Sequence, residues 1–369
     1  MIKVLFLIEK LNNGGAEKVL CDLVNHMDQT KFDITVQTIW PYEEGRQLAA
    51  GIHYKYVFPL KNKMMSLLYR LESATGLLYL LHIGKDYDLE CSFIEAGPTK
   101  ALSSSTSKKA KKIAWVHCDL LKAVSSPGEY KEKTKQWYEK FDRIACVSQK
   151  VKESFDIIFE NQFRTDVIYN VVDDVMIRNK AAEDLIVDTK NELVVLSVGR
   201  LEAQKNYMRM LTAHNRLLSK GIAHQLWILG QGAEQEKLSE YVKNNNLENS
   251  VHFFGFQNNP YKYMAKADII ACSSNYEGFS TSITESIILG KPIVTTDCSG
   301  MNEILGASKY GLITENDDEA FYLGLKKMLT DPNLRQYYAK QAQIRGEDFA
   351  IEKLVKQVEE YLISVFESE

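Results

Sequence analysis

Short apolar runs separated by helix-length amphipathic segments recur along the whole chain, and the series starts twice. VLFLI at 4–8 reads as a buried strand, and 16–27 as a helix after a glycine turn. Further strands are expected at 32–39, 89–94, 112–117, 143–147 and 167–169. The series restarts at 193–199 and continues at 225–229, 251–254, 268–272 and 292–296. Strands that are apolar along their whole length must be covered on both faces, which calls for parallel sheets between helical layers. A chain of 369 residues exceeds one ordinary core and suits two such α/β domains. The expected division is 1–170 and 171–349. The polar, non-periodic interval 170–190 would be the hinge, and 350–369 a closing amphipathic helix.

Composition removes other classes. Hydrophobic residues make up 45% and charged residues 25%, which fits neither a fibrous nor a disordered chain. No apolar run approaches the roughly 18 residues of a spanning helix. The five apolar residues before Glu9 are too few for a secretory core. The six cysteines (Cys21, Cys91, Cys118, Cys146, Cys272, Cys298) are widely spaced, without a CxxC pair. They read as reduced thiols of a cytoplasmic protein, and no Cys/His spacing suits zinc.

The net charge of −4 conceals an asymmetry, because 55–152 carry 18 basic and 10 acidic side chains. Such an excess favours an anionic partner or surface. Lys108, Lys109, Lys111 and Lys112 form a basic run, and the helical segment 60–83 mixes Met64, Leu67, Leu68 and Leu71 with Lys61, Lys63 and Arg70. A basic amphipathic surface can lie on anionic lipid without crossing it, although both segments are equally explained as solvated faces. Nucleic acid is not the expected partner, since the run is short and lacks interleaved aromatic residues.

Three motifs carry chemistry. Gly14 and Gly15 sit between the first strand and the first helix, where glycine permits close backbone approach and a helix start favours an anion. The spacing is not GxGxxG, so a dinucleotide fingerprint is not supported. Arg200 and Lys205 follow the strand 193–199, at the carboxyl end where open α/β sheets bind ligands. Two cations there suit a diphosphate. Glu277 and Glu285 flank a loop-to-helix junction that contains Gly278, Phe279, Ser280 and Thr281. Amides at such a junction face an anion. Each motif also has a plain structural reading: a tight turn, a solvated cationic loop, and a capping box Ser282-x-x-Glu285.

GGAEKV from 14, GRLEAQKN from 199, and EGFSTSITE followed by LGKPIVTTDCSG resemble the retaining glycosyltransferases of family 4, in order and spacing across nearly the full chain. The resemblance implies the GT-B fold, with two Rossmann-like domains facing a central cleft and the closing helix returning to the first domain. It implies that Gly14 and Gly15 lie by the donor diphosphate and that His117 faces the transferred sugar. Arg200 and Lys205 would bind phosphate, Gly230 and Gly232 would border the nucleotide, Glu277 would hold the sugar, and Glu285 the ribose. Amides of Gly278, Phe279, Ser280 and Thr281 would touch phosphate. For His117 the alternative is a core histidine closing a strand.

The implied reaction moves a hexose or N-acetylhexosamine from a nucleoside diphosphate sugar, with retention, by front-face displacement. UDP is the expected base carrier; GDP, ADP and dTDP stay open, as does Glu277 as a nucleophile. The expected acceptor is a glycan, polyprenyl-diphosphate-linked, met at the cytoplasmic face of a membrane by 60–85 and 108–112. Asp86-Tyr87-Asp88 spells DxD, but it leads straight into a strand. No cofactor or metal is therefore expected, with Arg200, Lys205 and helix dipoles in place of a divalent ion. The rival readings are an epimerase or phosphorylase of the same fold, and a non-catalytic sugar-nucleotide-binding subunit.

Overall fold

The computed structural model describes every residue except Asn13, 42–46, Lys85, Asp188, Lys190 and Glu369. It divides into two compact units, Met1–Val172 with Ile351–Glu369, and Asp173–Ala350.

The first unit holds β1 (Ile2–Ile8), β2 (Phe32–Thr38), β3 (His53–Tyr56), β4 (Leu89–Ser92), β5 (Lys111–Val116), β6 (Arg143–Cys146) and β7 (Thr165–Val167). Their order is β3-β2-β1-β4-β5-β6-β7, parallel throughout. Val4 to Ile8 are at most 1% exposed, as a central strand covered on both faces requires. Phe93 links the neighbouring strands by packing on Phe6 at 5.8 Å and on Trp115 at 5.2 Å. Trp115 meets Tyr361 edge-on at 6.1 Å, and Glu359 accepts the Asp28 amide at 2.6 Å. Both partners lie on the closing helix Ile351–Phe366, which buries its Leu354, Val358, Leu362 and Val365 stripe in this unit.

The second unit holds β8 (Val194–Val198), β9 (Gln225–Leu229), β10 (Val251–Gly255), β11 (Ile269–Cys272), β12 (Ile293–Thr296) and β13 (Leu312–Thr314). The order is β10-β9-β8-β11-β12-β13, again all parallel. In each sheet the chain adds strands to one side and then the other. The reversal falls between β1 and β4 and between β8 and β11. Loops leaving those neighbouring carboxyl ends diverge and leave a crevice, the usual ligand position in such sheets.

Three elements differ from the sequence expectation. Strands β3 and β13 were not anticipated; both are edges, and HYKY is fully exposed, so neither needs an apolar run. The interval expected to be a featureless hinge contains the helix Asp174–Ala181, whose start is capped by Asp173 accepting the Met176 amide at 2.8 Å. Among the described residues no helix is long and apolar enough to cross a membrane.

A buried histidine pair lies among the elements of the second sheet. His214 Nδ1 is 2.8 Å from His224 Nε2, and His214 Nε2 is 2.9 Å from Ser250 Oγ. Burial lowers both imidazoles, His214 to about 3, with the His224 ring adding to that effect. Their folded values lie below the unfolded value, so the unfolded chain binds more protons as pH falls. The stability they contribute is complete above about pH 6.5 and declines below it. Denaturant titrations should show wild type losing about 1.4 kcal/mol per pH unit below 6.5 for each histidine that stays neutral. His214→Gln should flatten that slope; equal slopes in the two proteins would contradict the assignment.

Candidate active site

In the second unit the crevice is built from the loop after β8 (199–206) and the loop after β11 (273–280). Lys205 Nζ is 2.6 Å from Glu277 Oε1, so one residue from each loop forms an ion pair. Glu277 Oε1 also accepts Ser274 Oγ at 2.6 Å. Burial acts to neutralise Lys205, but the Glu277 carboxylate outweighs it and holds the ammonium above the ordinary lysine range. Lys205 is therefore a fixed cation at neutral pH. Arg200 sits two residues past β8, exposed, with no side-chain hydrogen bond or ion pair among the described residues. It is an available guanidinium on the same loop as an already compensated lysine.

Backbone and amide bonds stitch the two loops. Gln204 Nε2 donates to the Tyr276 carbonyl at 2.8 Å, Asn275 Nδ2 to that of Ala203 at 3.1 Å, and Ser273 Oγ to those of Lys205 and Asn206 at 3.0 Å. Asn206, in the left-handed region at φ 46°, turns the chain into the helix Tyr207–Ser219 and caps it through Arg209 N. Behind the loops lies a network that sequence reasoning missed. Buried Arg209 donates to the Ser273 carbonyl at 3.2 Å, Asn316 Oδ1 at 2.7 Å and Asp318 Oδ1 at 2.8 Å. Asn316 Nδ2 in turn reaches the carbonyls of Asn275 at 2.9 Å and Asp297 at 3.1 Å. No local motif marks Arg209 and Asn316, because more than a hundred residues separate them and only the sheet order brings them together.

Gly230 and Gly232 follow β9, and a Cβ on either would overlap backbone: the Gly199 carbonyl for Gly230 and the Leu201 carbonyl for Gly232. Leu201 N donates to the Gln231 carbonyl at 3.0 Å across the same contact. These glycines thus let the two loops touch, which sets the position of Arg200 between them. Phe279 is buried against Phe349, with centroids 6.5 Å apart, and Gly278 lies under Gly300. Ser280 is the N-cap position of the helix Thr281–Ile288. This excludes the capping-box reading of Ser282 and Glu285, since Ser282 is already the second helical residue. Glu285 lies inside the helix, 5% exposed, with Tyr261 Oη at 3.4 Å from its Oε1.

In the first unit, Gly14 precedes the helix Gly15–His26, and its Cβ position is taken by the Glu17 side chain. Asn13 of the same motif lies outside the described residues. His117 follows β5, with one ring nitrogen on the Phe93 carbonyl and Nε2 buried without a hydrogen-bond partner. Burial lowers it to about 4, against the opposing pull of that carbonyl, so the ring is neutral at pH 7. Glu95, after β4, was not singled out in the sequence. Its Oε1 accepts the amides of His117 at 2.5 Å and Cys118 at 3.0 Å.

Asp88 of the DxD tripeptide accepts the Lys3 amide at 2.9 Å and pairs with Lys109, at the amino ends of β1 and β4. It is a structural carboxylate, remote from the carboxyl-end loops. Among the described residues no group of three His, Cys, Asp or Glu side chains could hold a metal ion. The two basic segments also separate in part. Tyr69 of the helix Lys63–Thr75 packs on Trp40, which follows β2, whereas Lys108–Lys112 enters β5 at its amino end. The start of the first segment and the lysine run thus lie toward opposite ends of the strands, whereas Tyr79, later in that segment, reaches Glu90, which feels Lys112.

Residues 181–345 match the model of the family Glycosyl transferases group 1. The chain is 38% identical over 202 residues to the N-acetylgalactosamine-N,N'-diacetylbacillosaminyl-diphospho-undecaprenol 4-alpha-N-acetylgalactosaminyltransferase of Campylobacter jejuni, an alignment covering 54% of each chain. It is 27% identical to an uncharacterized glycosyltransferase of Methanocaldococcus jannaschii, over 60% of this chain and 64% of that one. The alignments thus span between half and two thirds of these relatives. The crystal structure of Anabaena Alr3699/HepE in complex with UDP and glucose superposes with a TM-score of 0.75 at 20% identity, covering 99% of this chain and 100% of that one. The fold is GT-B.

The loop contact supplies a test with an internal control. Gly230→Ala should destabilise by several kcal/mol, because it adds a backbone overlap to an unfavourable φ of +141°. Gly221→Ala, at φ +76° with open space around it, should cost about 1 kcal/mol. Equal losses in denaturant unfolding would show that the Gly230 contact is not tight.

Proposed function

We propose that this chain, whose residues 181–345 match the Glycosyl transferases group 1 model, transfers a hexose or N-acetylhexosamine from a nucleoside diphosphate sugar to a polyprenyl-diphosphate-linked glycan. The observation that carries this is the Lys205–Glu277 pair at the β8/β11 reversal, with Arg200 exposed on the same loop as Lys205. Departure of a nucleoside diphosphate concentrates charge on the β-phosphate. A buried ammonium held by a carboxylate, together with a free guanidinium, is a preorganised environment for that charge and supports a reaction without a divalent ion. Amides at the start of the helix Thr281–Ile288 add positive potential.

The Glu277 oxygen nearest Lys205 carries two donors already, from Lys205 and Ser274, which suits a carboxylate that positions a cation and sugar hydroxyls. This supports front-face displacement with retention over attack by Glu277. Glu285, buried in the helix beside Tyr261, is the reading's ribose ligand. The UDP and glucose of the Anabaena complex support UDP as the nucleotide. The printed acceptor of the Campylobacter relative supports a lipid-diphosphate-linked glycan. Acting on such a substrate, the enzyme would work at the cytoplasmic face of the membrane.

Two neighbouring helices supply a candidate surface for that encounter. Met64, Leu67 and Leu71 on the helix Lys63–Thr75, and Leu77, Leu80 and Leu81 on the helix Leu77–His82, are all exposed. Lys61, Lys63 and Arg70 line a hollow beside Leu67. Each leucine withdrawn from water contributes about 2 kcal/mol, and the cations attract anionic headgroups. Lys108–Lys112, at the other end of the strands, is left out of this contact.

Two outcomes test the reading. UDP release from UDP-sugars should depend on added undecaprenyl-diphosphate-linked glycan, persist in EDTA, and fall at least about 100-fold in Lys205→Ala; the product's anomeric carbon should keep the donor's configuration. Release that ignores acceptor, or that requires a divalent ion, would contradict it. Binding to phosphatidylglycerol vesicles at low salt should be lost in Leu67→Asp/Leu71→Asp and unchanged by Lys→Glu at 108–112. The reverse pattern would move the docking surface to the other end of the sheet.

A further inference from the structure

We infer that Glu95 is a positioning residue for His117. The argument starts from the segment that leaves β4. Phe93 and Glu95 lie two residues apart on it, and both hold the same histidine. Phe93 takes a ring nitrogen of His117 on its carbonyl and packs its own ring against the imidazole, with centroids 5.1 Å apart. Glu95 takes the His117 backbone. Its Oε1 accepts the amides of His117 and Cys118 at 2.5 and 3.0 Å and the Cys118 thiol at 3.3 Å, while its own amide also donates to the carboxylate. Ring and main chain of one residue are thus clamped by one short loop.

The loop bears a cost for this arrangement. Ala96, next to Glu95, has φ 66° and ψ −109°, a conformation a side chain bearing a Cβ rarely adopts. Such backbone persists where surrounding bonds over-determine it, and the four donors on the Glu95 carboxylate are those bonds. They also distinguish its role. A carboxylate saturated by backbone amides and a thiol is occupied in holding the main chain and is poorly placed to take a proton from a substrate.

The consequence falls on the imidazole. With one ring nitrogen donating to Phe93, the ring's proton is committed to Nδ1 and Nε2 remains a lone-pair acceptor without a protein partner. On the glycosyltransferase reading proposed above, on which this inference rests, and with the sugar-facing role that the family resemblance implies for His117, that acceptor receives a hydroxyl of the transferred sugar. Displacing the end of β5 by the loss of Glu95 would move Nε2 and release the ring from Phe93.

The test uses the full chain labelled with ¹⁵N-histidine, with His117→Ala to assign the signals. Wild type should show a neutral His117 with Nδ1 protonated from pH 5.5 to 8. Glu95→Gln retains an oxygen for the two amides and should keep that pattern, with kcat within about threefold of wild type. Glu95→Ala should give mixed tautomers, a titration moved up toward 6.5, and a kcat reduced about 10- to 100-fold with little change in donor KM. Unchanged His117 signals in Glu95→Ala would overturn the inference. So would a Glu95→Gln variant as slow as Glu95→Ala, which would make the charge itself the requirement. Full activity in His117→Ala would instead overturn the donor-site role of His117, while the nitrogen signals would still decide whether Glu95 sets its ring. Should Glu95→Ala fail to fold, a His117 tautomer altered in Glu95→Gln would equally contradict the clamp.

Discussion

The ion pair between Lys205 and Glu277 is the contact on which the second unit's crevice depends. Parallel strands β8 and β11 are neighbours, yet the chain arrives at them from opposite directions of strand addition, so their exit loops would part without a bond between them. A buried lysine alone would lose its proton, and a buried glutamate alone would gain one. At 2.6 Å the carboxylate holds the lysine charged, and Ser274 satisfies a further lone pair of that carboxylate. Buried pairs of this kind rarely add net stability, because desolvation offsets their attraction. Their use here is geometric: the pair fixes a cation where an anion can reach it.

Much of the surrounding structure serves that placement. Gly230 and Gly232 allow the loop after β9 to press on residues 199–201, and Arg209 with Asn316 holds residues 273–275 from behind. The first unit repeats the logic with different chemistry. There the loop after β4 holds the end of β5 through a carboxylate that binds backbone amides, and a neutral imidazole replaces the charged lysine. One unit offers a fixed positive charge, the other a hydrogen-bond acceptor.

The strands were legible where burial on both faces forced continuous apolar runs. VLFLI and QLWIL, inside β1 and β9, announce themselves for that reason. HYKY, β3, does not, because an edge strand keeps one side in water and carries polar residues. Candidate residues could be named from the sequence where they follow a readable strand directly, as Arg200 and His117 do. Glu95 was not, since its meaning comes from β5, which is adjacent in the sheet and distant in the chain. Glu285 shows the converse: the spacing from Ser282 copies a capping box, and only the observed helix start at Ser280 separates the two readings. The charge asymmetry was real in the sequence, but sequence distance could not show that Lys63 and Lys109 belong to opposite ends of the strands.

The central claim is that the Lys205–Glu277 junction is the diphosphate site of a nucleotide-sugar enzyme. Calorimetric titration of UDP into the wild type and into Lys205→Ala, both in EDTA, tests it most directly. The account predicts one binding site in wild type with micromolar affinity, weakened at least about tenfold, or 1.4 kcal/mol, in Lys205→Ala. Equal affinity in the two proteins, or no binding to wild type without a divalent ion, would contradict it.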